Sequence, residues 1–464
     1  MSSVIENTTD VAVIGGGPAG MAAAWAAARC GAKTMLLERM SYLGGVLPQC
    51  VHDGFGLYSE EESMTGPRYA RVWKEKLAET DATIACNTAV TKMQKSKAVI
   101  VLSCVGPIFG GTAEITAGTV ILASGCREKS RGQLKIPGTR PAGIMTAGTA
   151  QYMINIQNQL PGDKVVILGS GDIGLIMARR LKLEGADVRM VLGQEATGLY
   201  RNHVQCIREM DIPFRTGWTI TSVHGRGRLK GIMAAPIGAG GKPELNKREY
   251  IRCNTLLIAA GLIPERDIEG LDEVMHCADG SLMLAGNVEH IHDLADGAAI
   301  QGVQCGVIAA RRTRSRTDRF NIPGDVTRAA AEVVPQDQTE AGEDKGILPE
   351  RCTGCPASCT VELVMEGEEI IEVRGAGCDR GGQIMRGQIK HPVRVFTGTV
   401  KMKQTGDEVV LIPVYTSKSV PVSQLMHIAK LCRRIKVRGP VRAGQIIRKN
   451  IGGTGADLLA SSGS

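Results

Sequence analysis

The sequence predicts an α/β chain with two strand–glycine loop–helix–strand units and a small, mainly β C-terminal domain carrying four cysteines. Three observations predict it. The run Gly15-Gly16-Gly17-Pro18-Ala19-Gly20 stands between the apolar stretch Val11 to Ile14 and an Ala-rich helix that stops at Gly31. The pattern returns as Gly169-Ser170-Gly171-Asp172-Ile173-Gly174, again between an apolar stretch and a helix. After a polar linker, Cys352, Cys355 and Cys359 fall within eight residues, and Cys378 follows.

In the opening unit Gly15 permits a tight turn. Gly17 lets backbone approach a pyrophosphate, and Gly20 lets the helix pack on the strand. The helix N-terminus offers free N–H groups and a positive dipole to phosphates. A second strand, Thr34 to Leu37, ends in Glu38, 18 residues past Gly20. That is near the ~20 expected of the acid that holds a ribose hydroxyl. Strand, loop, helix, second strand and acid together predict a bound dinucleotide. Gly44-Gly45 fits another close backbone approach to a cofactor. Cys50 has no second cysteine nearby and reads as a buried thiol, since a disulfide relay needs a partner within bonding reach. His52 reads as structural, with a place beside the cofactor as the alternative.

Residues 60–80 read as a polar helix, and 88–93 and 98–104 as strands. A buried strand, 119–124, ends in Gly125-Cys126-Arg127. The second unit has a strand at 165–168, a helix at 175–184 and a strand at 188–192. This last strand runs into Leu192-Gly193-Gln194, with no acid until Glu195. The ribose-reading position is unfilled or filled irregularly. The site then works with a nicotinamide cofactor, is vestigial, or takes a different nucleotide. Residues 253–265 read as one buried strand. The stretch 281–287 leads into a helix from Glu289 whose small residues let its N-terminal end lie against a flat ligand.

Composition narrows the class. A net charge of +8 over 464 residues is modest, and nucleic acid is not expected as a partner. No run of 18 apolar residues suggests a transmembrane helix, so membrane contact is expected only peripherally, through a partner. No secretory leader is apparent, and 14 cysteines then point to a reducing, cytoplasmic setting where clustered cysteines more often hold metal than pair. The scattered cysteines read as packing residues.

This order of motifs resembles the pyridine-nucleotide flavoprotein oxidoreductases of the thioredoxin reductase branch, over residues 10 to about 320. The resemblance rests on Gly15 to Gly20 with Glu38, Ala123-Ser124-Gly125, Gly169 to Gly174, Leu262-Ile263-Pro264 and Gly286-Asn287. It implies two Rossmann-like dinucleotide-binding domains, one inserted in the other. Residues 1–127 and 254–326 would form the FAD domain, and 128–253 the inserted NAD(P)-type domain. The implied FAD contacts are Gly15, Gly17, Ala19, Gly20, Glu38, Arg39, Gly45, Val90, Gly125, Gly286 and Asn287. Gly169, Gly171 and Gly174 are those of NAD(P). Asn287 stands where the family has an acid. The Cys-x-x-Cys of thioredoxin reductases is missing from the inserted domain, so no dithiol exists there to accept flavin electrons.

Residues 327–348 read as a linker and 349–464 as the last domain. Residues 360–365 and 369–374 read as a hairpin that returns Cys378 towards Cys352, Cys355 and Cys359. Zinc usually takes two Cys-x₂₋₄-Cys pairs. Three close cysteines and one distant one fit a cubane cluster better. The segment resembles the N-terminal [4Fe–4S] module of molybdopterin oxidoreductases, over about 350–390 only. Zinc and free thiols stay open as alternatives. The C-terminal part also resembles a small four-cysteine domain associated with flavin subunits like those of bacterial anaerobic glycerol-3-phosphate dehydrogenases. No residue stands out as a substrate-specific acid, base or nucleophile. The expectation is an FAD-dependent oxidoreductase that relays electrons between flavin and cluster. It would stand beside a second flavin dehydrogenase subunit, which handles a small redox substrate. A self-sufficient NAD(P)H oxidoreductase and a non-catalytic scaffold with structural zinc are the alternatives.

Overall fold

The computed structural model describes residues 7–60, 62–193, 207, 209–277, 279–292, 294–313, 320–331, 347–351, 360–366, 369–375, 392–403 and 409–463. The chain divides into two compact units. One comprises 1–127 with 262–333, the other 128–261 with 334–464.

The first unit is built on β1 (Thr8–Ile14), α1 (Pro18–Arg29), β2 (Thr34–Leu37), α2 (Gly66–Ala78), β3 (Thr83–Ala85), β4 (Ala89–Ser96), β5 (Val99–Gly106) and β6 (Gly111–Leu122). The sheet runs β3-β2-β1-β6-β5-β4, and the strand Leu282–Leu284 also pairs with β6. β3, β2, β1 and β6 are parallel neighbours, while β6, β5 and β4 form an antiparallel meander. β1 is buried on both faces, which is why it reads as a continuous apolar run. Val11 and Val13 enter one core with α1, α2 and the helix Ala295–Arg312; Ala12 and Ile14 enter the other, beneath β4 and β5.

Several boundaries differ from the sequence reading. α2 starts at Gly66, not 60, with Pro67 in its first turn, where the missing N–H is harmless. The later helix starts at Ala295, so residues 289–292 lie outside it. Its small residues serve helix packing. A Cβ on Gly302 would meet the Ala19 carbonyl oxygen at 2.1 Å, and one on Gly306 the Ala23 carbonyl oxygen at 2.4 Å. α1 answers with a face of alanines, and two backbones approach closely. The region read as a linker from 327 overlaps the helix Gly324–Ala329, and the strand Ile347–Arg351 begins before 348.

The second unit repeats the architecture. Its five-stranded sheet orders Phe214–Thr216, Asp187–Gly193, Lys164–Leu168, Thr255–Ile258 and Ile144–Thr146. The run read as one strand over 253–265 breaks at Gly261, φ +88°. Its first half, Thr255–Ile258, is parallel to Lys164–Leu168 in the middle of this sheet, so the unit continues past 253 to 261. Val165 and Ile167 face one core, Val166 and Leu168 the other.

Residues 392–463 form a second, five-stranded sheet in this unit: Lys436–Arg438, Thr397–Lys403, Val409–Thr416, Leu458–Ala460 and Ile446–Arg448 in order. One face packs on the helix Val422–Arg434, and its Val400, Ile412 and Val414 share a core with Leu175, Ala178 and Leu181 of the helix Asp172–Leu183. Arg180 of that helix is 5% exposed. Its guanidinium donates to Asn155 Oδ1 (2.8 Å) and Thr399 Oγ1 (3.1 Å) and pairs with Glu184 (2.7 Å). Burial pushes the guanidinium down from its ordinary value, with Glu184 opposing. Strands Ile347–Arg351, Thr360–Glu366 and Glu369–Arg374 form an antiparallel sheet of three, so the expected hairpin is present with one more strand beside it. No helix of the described residues is long and apolar enough to cross a membrane.

Candidate functional site

The first glycine loop leaves β1 at Gly15, φ +104°, whose N–H donates to the Leu37 carbonyl (2.8 Å). A Cβ there would strike the Ala123 carbonyl oxygen at 2.5 Å, and one on Gly20 the Gly15 carbonyl oxygen at 1.7 Å. Both glycines are fixed by the protein's own backbone. Gly17 is different. It caps α1 with φ −73° and ψ −175°, a conformation open to any residue, and a Cβ there would meet nothing within 4 Å. A side chain is sterically acceptable to the protein at Gly17, so its absence there suits a ligand lying close. No side chain caps α1 and no acid lies in its first turn, which leaves its N–H groups and dipole for an anion.

Glu38 ends β2 and is 6% exposed. Its Oε2 accepts the Gly16 N–H (2.5 Å) and Oε1 the Met40 N–H (2.7 Å). Each oxygen keeps a lone pair for a hydroxyl. Gly45, φ +56°, comes close enough to Gly17 that its Cβ would meet Gly17 Cα at 3.1 Å. The Gly44 N–H donates to the Gly16 carbonyl (2.8 Å), so this turn closes over the loop. Ala19 is buried in the first turn of α1, Arg39 is exposed just beyond Glu38, and Val90 is half-buried on β4. Gly125, φ +75°, follows β6 with open space where its Cβ would point.

Gly286, φ +74°, sits against Ala19, and its N–H donates to Gln301 Oε1 (2.7 Å). Asn287 Oδ1 accepts the His292 N–H (2.9 Å), and its Nδ2 donates to Cys126 Sγ (3.5 Å). The loop, Glu38, the glycine turn and Gly286 thus surround one helix terminus. An open cradle with uncapped N–H groups and a buried carboxylate beside it fits the phosphates and ribose of a dinucleotide. His52 packs on Phe55, ring centres 5.1 Å apart, and Cys50 is buried.

The second loop has the same backbone. The Gly169 N–H donates to the Leu192 carbonyl (2.7 Å), a Cβ on Gly169 would strike the Ala259 carbonyl oxygen at 2.2 Å, and one on Gly174 the Gly169 carbonyl oxygen at 2.1 Å. Gly171 caps its helix with open space around it. Ala259-Ala260-Gly261 is therefore the counterpart of Ala123-Ser124-Gly125, a repeat hidden in the sequence by its short length. The register sets Gly193 in the place of Glu38, since Leu37 and Leu192 hold the same bond. A Cβ on Gly193 would lie 1.9 Å from Ser170 Oγ. Ser170, which replaces Gly16, fills the volume the acid uses in the first loop. Asp172 stands at the first helical position, where the first loop has Pro18.

Cys352, Cys355, Cys359 and Cys378 lie outside the described residues. Among the described residues no group of three His, Cys, Asp or Glu side chains is arranged to hold a metal ion.

Residues 9–282 match the family described as pyridine nucleotide-disulphide oxidoreductase, and residues 379–462 match one described as a protein of unknown function, DUF1667. A hydrogen cyanide synthase subunit, HcnB, of Pseudomonas protegens is 26% identical over 336 residues, 64% of this chain and 68% of that protein. An opine oxidase subunit of Rhizobium meliloti is 28% identical over 58% of this chain and 52% of that protein. The thioredoxin reductase of Lactococcus lactis shares the fold, with a TM-score of 0.53 at 18% identity, covering 66% of this chain and 99% of that one. The chain belongs to the pyridine nucleotide-disulphide oxidoreductase family, and it is an FAD-dependent oxidoreductase.

Proposed function

We propose that this chain is the electron-transfer subunit of a multi-subunit dehydrogenase, with FAD on the first glycine loop and a [4Fe–4S] cluster on Cys352, Cys355, Cys359 and Cys378. The open cradle at Gly17 carries the flavin half of the reading. Gly15, Gly17 and Gly20 would shape the pyrophosphate site, Glu38 would hold the ribose, and Gly125, Gly286 and Asn287 would border the remainder. Ala19, Arg39, Gly45 and Val90 are the further contacts. FAD supplies exchange of electrons singly or in pairs, and a cubane supplies exchange of one. This chain's own residues bind and orient; none of the described ones is set up as a substrate acid or base, so the substrate is assigned to a partner.

A flavin subunit of the glycerol-3-phosphate dehydrogenase kind is the partner the C-terminal resemblance favours. Relatives named opine oxidase and sarcosine oxidase subunits favour a second reading, in which the partner oxidises an N-substituted amino acid. Binding of NAD(P) at Gly169, Gly171 and Gly174 is weak in either case, because Gly193 supplies no acid and Asp172 places negative charge near the phosphate position. A self-sufficient NAD(P)H oxidoreductase is thereby disfavoured.

Metal analysis and electron paramagnetic resonance of anaerobically prepared, dithionite-reduced protein test the cluster. About four irons per chain are expected, falling in Cys378→Ser while FAD content holds. Stoichiometric zinc without iron overturns the relay. Stopped-flow mixing with NADH and NADPH tests the second loop: rapid flavin reduction at micromolar concentration of either would refute weak binding.

A further inference from the structure

Charge is distributed unevenly along this chain. Residues 392–464 hold twelve Lys and Arg against three Asp and Glu, a balance of +9, so the other 391 residues together carry −1 of the total +8. The C-terminal sheet concentrates part of this charge on one face. Its edge strand Lys436–Arg438 runs parallel to Thr397–Lys403, with Lys401 opposite Lys436, Met402 opposite Val437, and Lys403 opposite Arg438. Met402 and Val437 point into the core. By strand alternation the four cations share the outer face. Like charges directly opposite across a ladder are destabilising. Among the described residues no ion pair accounts for Lys401, Lys436 and Arg438.

Beside the cations the same face turns apolar. Lys401 pairs with Leu411 and Lys403 with Val409, and Tyr415 pairs with Leu459 on the next strand. Val409 is 45% exposed, as is Ile446 on the far edge. An apolar centre bordered by cations, Lys401, Lys436 and Arg438 on one side and the exposed Arg448 on the far edge strand, matches a protein surface with a carboxylate rim.

We infer that the outer face of the C-terminal sheet, centred on Lys401, Lys436, Arg438 and Leu411, docks a small acidic electron-carrier protein. The inference rests on the electron-transfer reading above and names the carrier's docking surface. A lipid surface is the weaker fit. The cations are held in the strands of a sheet, and Tyr415, the aromatic of this face, is half-buried and not an exposed wedge for a bilayer.

Isothermal titration of the full-length, flavin-loaded chain with an acidic bacterial ferredoxin tests it. Binding is read without turnover, so a missing cluster or inactive flavin defeats the functional reading and not this measurement. Wild type should bind at about 20 mM ionic strength and weaken at about 200 mM, where screening is short-ranged. Lys401→Glu with Lys436→Glu should weaken binding about tenfold or more. Lys430→Glu with Arg434→Glu makes the same charge change on the helix behind the sheet and should stay within about twofold. Leu411→Ser, without charge change, should also weaken binding, and thermal melting of each variant checks that the fold is kept. Three outcomes overturn the inference. They are no binding by wild type, equal loss in both charge-reversed pairs, and preferential binding to phosphatidylglycerol vesicles over ferredoxin.

Discussion

The two glycine loops share a backbone and differ at four positions, one of them Ala19, where the second loop has Ile173. Gly15 and Gly169, Gly17 and Gly171, and Gly20 and Gly174 meet the same constraints at nearly the same distances. Where the first loop has Gly16 and Glu38, the second has Ser170 and Gly193, and where the first has Pro18, the second has Asp172. The Gly–Glu and Ser–Gly pairs are alternative fillings of one volume. Glu38 bonds the Gly16 N–H in one, and the Ser170 side chain occupies the space above Gly193 in the other. A fold can keep the shape of a nucleotide site after its recognition chemistry has changed. Glycine spacing reports the shape, and the residue at the tip of the second strand reports the chemistry.

The largest expected effect separates the loops outright. Gly17→Val leaves the fold intact, since its Cβ meets nothing and its backbone is extended, but obstructs the pyrophosphate. Losing two charge-assisted hydrogen bonds at ~1.5 kcal/mol each weakens FAD by roughly 10²-fold. Gly171→Val should leave flavin stoichiometry at one per chain. Flavin absorbance against protein concentration after gel filtration checks both. Equal loss in the two variants would erase the distinction.

A smaller effect sharpens the exchange at Ser170 and Gly193. Gly193→Glu alone should destabilise the second unit by ~1–3 kcal/mol, because the new side chain overlaps Ser170. Adding Ser170→Gly should recover the melting temperature and raise affinity for NADH about tenfold, as the restored acid gains a ribose hydroxyl. Denaturant titration and fluorescence titration with NADH follow the two readouts. Additive stability changes would mean the side chains do not compete.

The smallest effect concerns charge. Removing the carboxylate in Asp172→Ala should tighten dinucleotide binding at the second loop by about two- to fivefold. The helix-terminus term at stake is ~0.3–1 kcal/mol. Its dependence on salt in the same fluorescence titration checks that the effect is electrostatic. An unchanged affinity would mean that Asp172 is already neutralised by its own neighbours.

Legibility in the sequence followed the range of the interactions. The glycine loops, their flanking strands and the absence of an acid directly after Leu192 are local, and each was visible as a string of adjacent residues. The fold class followed from them. Gly302 and Gly306 were visible as small residues, but their role was not, because the carbonyls they meet belong to Ala19 and Ala23, almost 300 residues earlier. Ser170 and Gly193 are 23 residues apart and show their competition only once the strand register is known. The single strand read across 253–265 erred because apolar content does not reveal the positive φ of Gly261. The burial of Arg180 has no local signal in the sequence, because it depends on Thr399 from a distant sheet.

That arginine has a consequence for the order in which the molecule is made. The core shared by Leu181, Val400 and Ile428 draws on segments more than 200 residues apart. Domains generally form as units while the chain emerges from the ribosome. The second unit cannot finish in that way. Its glycine-loop helix is synthesised early, then waits with an apolar flank and Arg180 uncovered until the last strands arrive. Through that interval the nascent chain carries an incomplete core, open to chaperones and to proteolysis. Limited proteolysis of stalled chains would find its susceptible sites in that helix, disappearing only after the final sheet has been released.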